Sequence, residues 1–158
     1  MTARVVVRDN RKRFDALKAQ LSKLADGGVY VGVFGDQADT HVGDGITLVE
    51  LAAIHEFGLG DAEERSFLRA WIDANRKPIA NAMATASRQA TANGASPSTA
   101  LHAVAEWAAG QVKKFIASNS VQPSSSEATN RAKGSTVTLV DSGTLRAAIQ
   151  GRVVTGRE

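Results

Sequence analysis

The adjacent pair His55-Glu56 is the first place in this sequence where chemistry could be sought. A zinc peptidase sets two histidines one helical turn apart, so that both imidazoles share a face and hold the metal. Here the position one turn on is Leu59, and the other histidines, His41 and His102, fall in a polar loop and on another helix. The pair therefore reads as packed or hydrogen-bonded structure at a helix end. Asp36, Asp39 and Asp44 suggest calcium, but their spacing misses the alternating ligands and closing bidentate Glu of an EF-hand loop. Asp61, Glu63 and Glu64 cluster in a turn, where consecutive acids are usually solvated. No serine stands in a G-x-S-x-G elbow, and no Ser–His–Asp grouping stands out. The glycine-rich stretches 32–35 and 43–45 lack the G-x-x-x-x-G-K-S/T phosphate cradle and the dinucleotide fingerprint. The chain has no cysteine, which excludes disulfides, thiolate metal sites and a cysteine nucleophile. The expectation is a protein that is not an enzyme, with no catalytic residue, no metal, no cofactor and no small-molecule substrate.

The elements around these residues follow from periodicity. Arg4 to Arg8 (RVVVR) is a short β-branched run, a strand or extended arm. Phe14, Leu17, Leu21 and Leu24 recur at three- and four-residue spacing and set one apolar stripe on a helix that Asp26-Gly27-Gly28 ends. Val29 to Gly35 reads as a strand, central and partly covered on both faces. Residues 36–47 are polar and glycine-rich, a flexible loop. Leu48 to Phe57 reads as a short helix, with Thr47 as N-cap, Glu50 completing a capping box, and Gly58 and Gly60 closing it. Phe67, Leu68, Trp71 and Ile72 follow helical spacing up to about Asn75. A new helix then runs from Lys77 to about Asn93, with Pro78 tolerated in its first turn. Ser96-Pro97 opens a further helix to about Ser118, with Leu101, Val104, Ala108, Val112 and Phe115 as its buried stripe.

Residues 119–136 are rich in Ser, Thr and Asn and offer little to bury, so a long flexible loop is expected there. Asp141-Ser142-Gly143 makes a turn, Thr144 to Ala148 a short helical piece, and Ile149 to Val154 a closing strand. The fold class expected is a single α+β domain over residues 1–158: a small, mostly antiparallel sheet packed against two or three longer helices. The long loop precedes its C-terminal strand.

Length and charge narrow the class further. A chain of 158 residues can bury a core without staples. The basic start lacks an apolar signal core, and no apolar run approaches the roughly 20 residues of a membrane helix. A soluble chain with no membrane contact is expected. The net charge is +3 and the isoelectric point about 9.5. Eight aromatics are present, most at core-like positions, whereas a dedicated nucleic-acid binder clusters basic residues and adds stacking aromatics. One local cluster, Arg8, Arg11, Lys12 and Arg13, keeps a small DNA-binding regulator using a basic N-terminal helix as the alternative reading.

Four segments stand in a telling order: the strand Val29–Gly35, then Glu50-Leu51-Ala52-Ala53-Ile54-His55-Glu56-Phe57-Gly58, then Arg65-Ser66-Phe67-Leu68-Arg69-Ala70. Last come Lys133-Gly134 and Leu139-Val140-Asp141-Ser142-Gly143-Thr144-Leu145-Arg146-Ala147-Ala148-Ile149. Together they resemble the phage neck, head–tail joining or tail-completion (virion morphogenesis) proteins of long-tailed double-stranded DNA phages and Mu-like prophages. That pattern is a VGV strand, an A-x-I-H-E-F/Y-G helix end, an R-x-F-L/I-R segment and a K-G … L-V-D-T-G-x-L-R-x-S-I tail. Ser66 departs from a common proline, Ser142 from Thr and Ala148 from Ser, all mild in turn and helix chemistry. The 36–47 loop is an elaboration of this chain.

The resemblance implies a structural virion protein, one subunit of a homo-oligomeric ring that joins the DNA-filled head to the tail. Its implied partners are neighbouring connector and tail proteins and passing double-stranded DNA, contacted without sequence specificity. The implied location is the virion neck, with assembly in the host cytoplasm. Candidate interface residues are Arg65, Arg69 and Arg146, which equally suit surface ion pairs, together with Ser124, Ser125, Ser126, Arg131 and Lys133. The structural motif is His55, Glu56, Phe57 and Gly58 with Asp141, Ser142 and Gly143.

Overall fold

A computed structural model of the chain describes residues 11–25, 28–42, 45–92, 96–123 and 143–154. The elements run α1 (Arg11–Ala25), β1 (Gly28–Val33), α2 (Leu48–Phe57), α3 (Leu68–Ala74), α4 (Arg76–Ala92), α5 (Pro97–Ala117), α6 (Thr144–Ala148) and β2 (Ile149–Val154), with a 3-10 turn at Gly35–Gln37. The fold is α+β, a two-stranded antiparallel sheet laid on helices. Residues 4–8, residues 124–136 of the expected loop, residues 137–140, and Asp141 and Ser142 lie outside the described residues.

Helix boundaries follow the local chemistry. At α2 the Thr47 hydroxyl accepts from the Glu50 amide at 3.3 Å while the Glu50 carboxylate accepts from the Thr47 amide at 2.8 Å, so two otherwise orphaned donors are satisfied reciprocally. Gly58 ends that helix at φ 63°, ψ 51°, the left-handed region. A side chain there would be strained, and its Cβ would also stand 2.8 Å from the Glu64 amide nitrogen. Pro78 sits in the first turn of α4, where no intrahelical donor is lost. Between α3 and α4, Asn75 makes the joint, its amide side chain donating to the Trp71 carbonyl at 2.8 Å.

Helix α5 is the centre of the molecule, packed by α4, β1 and β2. Its buried residues are Pro97, Ala100, Val104, Ala105, Ala108, Ala109, Val112 and Ile116. The stripe expected from the sequence is corrected at two positions: Leu101 and Phe115 are half-buried, and Ala100 and Ile116 take the inner places. The reason is coverage on two sides. The β2 backbone crosses so close that a Cβ on Gly151 would lie 2.2 Å from the Ala105 carbonyl oxygen, which explains why alanines fill the middle of the helix. Against this frame pack Leu48, Phe67, Trp71, Val121, Leu145, Ala148 and Ile149. Trp71 meets Trp107 edge to face, with centroids 6.0 Å apart.

Three further expectations change. Strand β1 ends at Val33 rather than Gly35, because Gly35 turns to φ 60° and starts the 3-10 turn. Among the described residues it pairs only with β2, and Tyr30 is exposed. On α1, Phe14 is 66% exposed, so the first turn of the expected stripe is not covered by the described fold. The 36–47 loop carries its own backbone bonds, Val42 to Ile46 at 2.8 Å and Leu48 to Thr40 at 2.8 Å, and a bridge between His41 and Thr47.

Candidate functional site

Two of the four segments singled out in the sequence, 50–58 and 65–70, meet at one carboxylate. Gly58 reverses the chain after α2, and the Arg65 amide returns to the His55 carbonyl at 2.7 Å. This brings residues 65–69 back across the end of the helix. Glu56, only 4% exposed, then points into the start of α3. Its Oε2 accepts from the Phe67 amide at 2.8 Å and the Leu68 amide at 2.9 Å. Its Oε1 accepts from the Ser66 hydroxyl at 2.8 Å, the Arg69 amide at 2.9 Å and Arg69 Nε at 3.1 Å. Helix α3 has no side-chain cap of its own, so a carboxylate from another helix satisfies its first donors and sits at the positive end of its dipole.

Arg69 closes the arrangement from outside. It also donates to the Glu56 carbonyl, pairs with Glu64 at 2.9 Å and lies over the Phe57 ring at 4.8 Å. Arg65 pairs with Glu63 at 2.7 Å and donates through Nε to the Pro123 carbonyl at 3.2 Å. That bond, with fully buried Val121, ties residues 119–123 of the expected loop to the core.

The electrostatics suit a fastener. Burial is the largest influence on Glu56 and pushes its carboxyl up. The Leu68 and Arg69 amides, the Ser66 hydroxyl and the Phe67 amide together outweigh it, so the group lies below its ordinary value of 4.5. A general base at neutral pH needs a pKa near the working pH and a lone pair facing substrate. Glu56 has neither, since both oxygens already accept from the protein. His55 contributes its carbonyl to the same turn. His41 bridges Thr47, and His102 Nδ1 lies 2.9 Å from the Ser98 carbonyl. The three rings are thus on three different elements, and among the described residues no three His, Asp or Glu side chains are grouped to hold a metal ion. Asp36, Asp39, Asp61, Glu63 and Glu64 make no such group either, while Asp44 is outside the described residues.

The C-terminal segment joins the same body. Gly143, at φ 75°, starts α6, and that helix packs against α2 and α5. Leu145 and Ile149, four residues apart, are both buried in the main core, as their spacing suggests. Arg146 is half-buried and makes no ion pair among the described residues. Ser124, Ser125, Ser126, Arg131, Lys133, Asp141 and Ser142 lie outside the described residues. The structure thus brings together Arg65, Arg69 and the His55–Gly58 turn. Sequence reasoning missed that Glu56 caps α3; the signal was a helix start at Phe67 with no capping side chain. No helix of the described residues is long and apolar enough to cross a membrane. Comparison of the chain with protein-family models, curated proteins and solved structures found no match.

Proposed function

We propose that this chain is a structural subunit of a tailed-phage neck, joining head to tail as part of a ring. The observation that supports this best is the closed Glu56 junction. Residues carrying the resemblance are used as internal fasteners, and the one buried carboxylate among them is saturated with donors, which leaves it no role in catalysis. What the described fold leaves outside are apolar side chains suited to contacts between proteins, Phe57, Leu59, Tyr30 and Ile72, with half-buried Arg146 besides. A subunit of this size encircles a DNA channel only in several copies, through head-to-tail contacts that close.

The test is removal of the coding sequence from the parent phage or prophage, followed by electron microscopy of the particles. Separate full heads and free tails are expected; intact, infectious particles would overturn the reading. A second reading, a small DNA-binding regulator, draws on the exposure of Arg11 and Lys12 in the first turn of α1. Salt-dependent retardation of duplex DNA by the isolated protein would favour it, and no retardation at low salt would remove it.

A further inference from the structure

Two exposed faces of the chain carry opposite charge around apolar side chains. On α1, Arg11, Phe14 and Lys18 are spaced three and four residues apart, so they share one face of the helix. All three are exposed, Phe14 to 66%. A single apolar residue on a surface is ordinary. What distinguishes Phe14 is a cation one turn to either side and a matching face elsewhere on the chain.

That second face is the turn after α2. Phe57 and Leu59 flank Gly58 and are 55% and 50% exposed. Asp61, Glu63 and Glu64 follow them on the surface, and the stretch 57–64 has no basic residue. The turn is also held in place. Arg69 lies over the Phe57 ring at 4.8 Å and pairs with Glu64, and the Arg65 amide is bonded to the His55 carbonyl. A surface already fixed loses little conformational freedom when something docks on it.

We infer that the α1 face of one copy docks on the 57–64 turn of a second copy. Phe14 meets Phe57 and Leu59, and Lys18 faces Asp61. Charge selects this partner. Residues 11–18 carry four basic side chains against one acidic, whereas residues 56–69 carry four acidic against two basic. Pairing α1 with α1, or turn with turn, sets like charges together and is disfavoured. Pairing α1 with the turn joins opposite charges around an apolar centre, the arrangement in which aromatic anchors contribute most. Both apolar faces are exposed within one copy, so neither covers the other there, and each is presented to a neighbour. The contact is head-to-tail, the kind that repeats from copy to copy and closes into a ring. That closure rests on the neck reading above; the contact between two copies does not.

Charge reversal on the full chain tests the contact, read as self-association by sedimentation velocity at low salt. Lys18→Glu and Asp61→Lys change exposed positions, so each variant is expected to keep its melting midpoint. Each alone places like charges at the contact and should weaken association at least ~10-fold. An equimolar mixture of the two should recover it, because the reversed side chains meet at one contact and the native ones at the next. Phe14→Ala should also weaken association, while added salt weakens that of the unmodified protein. Carbodiimide coupling of isotope-labelled with unlabelled protein locates the contact. Mixed-isotope links are expected between the lysines of 11–18 and the acids of 61–64. A mixture that fails to recover, unchanged association in Phe14→Ala, links confined to one copy, or an unmodified protein with neither association nor mixed links would each overturn the inference. The neck reading fails separately, since infectious particles from the deletion strain would leave this contact standing.

Discussion

At the scale of single residues, Glu56 concentrates the most consequence in one side chain. Three of its donors are backbone amides at the start of α3, which nothing else in the turn satisfies. Glu56→Ala would leave them unpaired, the Phe67 amide buried and the other two partly so, at a cost of about 3 kcal/mol. Arg69 is half-exposed and can turn to water, which keeps the loss near the lower end for a broken pair. Glu56→Gln keeps one acceptor oxygen and should lose ~1–2 kcal/mol, read as a shift of the urea midpoint. The pH dependence has a definite sign. Because the folded carboxyl lies below its ordinary value of 4.5, both states are ionised at neutral pH and the stabilisation is fully present. As pH falls through that value the unfolded chain takes up a proton first, and stability is lost until the folded group protonates as well. Glu56→Gln should therefore flatten the fall in stability between pH 7 and pH 3; an unchanged slope would show that Glu56 does not carry it.

At the scale of elements, the decisive contact is β2 on α5. A Cβ at position 151 would meet the Ala105 carbonyl carbon at 2.3 Å and its oxygen at 2.2 Å, so Gly151→Ala forces the strand off the helix. A loss of ~3 kcal/mol is expected by chemical denaturation, at the upper end for overpacking. Since the clash is with backbone, adding Ala105→Gly should not restore stability, and a restored midpoint would locate the strain elsewhere. This contact also shows what a sequence conceals. The local signals were legible: the Thr47–Glu50 capping box, Ser96-Pro97, the Gly58 stop and the bounds of α6 and β2 are all written within four residues of where they act. The inner stripe of α5 was misplaced by one residue at each end, because periodicity reports one apolar face and two neighbours bury a wider arc. Likewise Glu56 could be read as structural but not as the cap of α3. Its donors lie 10–13 residues on and reach it only because Gly58 reverses the chain. Val121, placed in a polar segment, is fully buried because Arg65 and the core draw that segment in.

At the scale of the whole molecule, the arginines separate folding from the proposed role in assembly. Arg65 and Arg69 are committed inward, to Glu63 and the Pro123 carbonyl and to the Glu56 junction, so changing them disturbs the fold itself. Arg146 is different. It sits on α6 between buried Leu145 and Ala148, with no ion pair among the described residues. Reversing it by Arg146→Glu should move stability by no more than about 0.5 kcal/mol, the usual range for a site outside core, cap and network. In a ring whose neighbours present acids to that face, the same reversal sets like charges together at the joint, where such juxtaposition costs several kcal/mol. Supplied to the deletion phage, R146E protein is then expected to be normally folded yet to leave heads and tails apart, whereas Arg146→Lys should restore part of the joining. Full complementation by Arg146→Glu, with an unchanged melting midpoint, would exclude Arg146 from the subunit contact and leave the exposed apolar side chains around Phe57 and Leu59 as the surface to vary next.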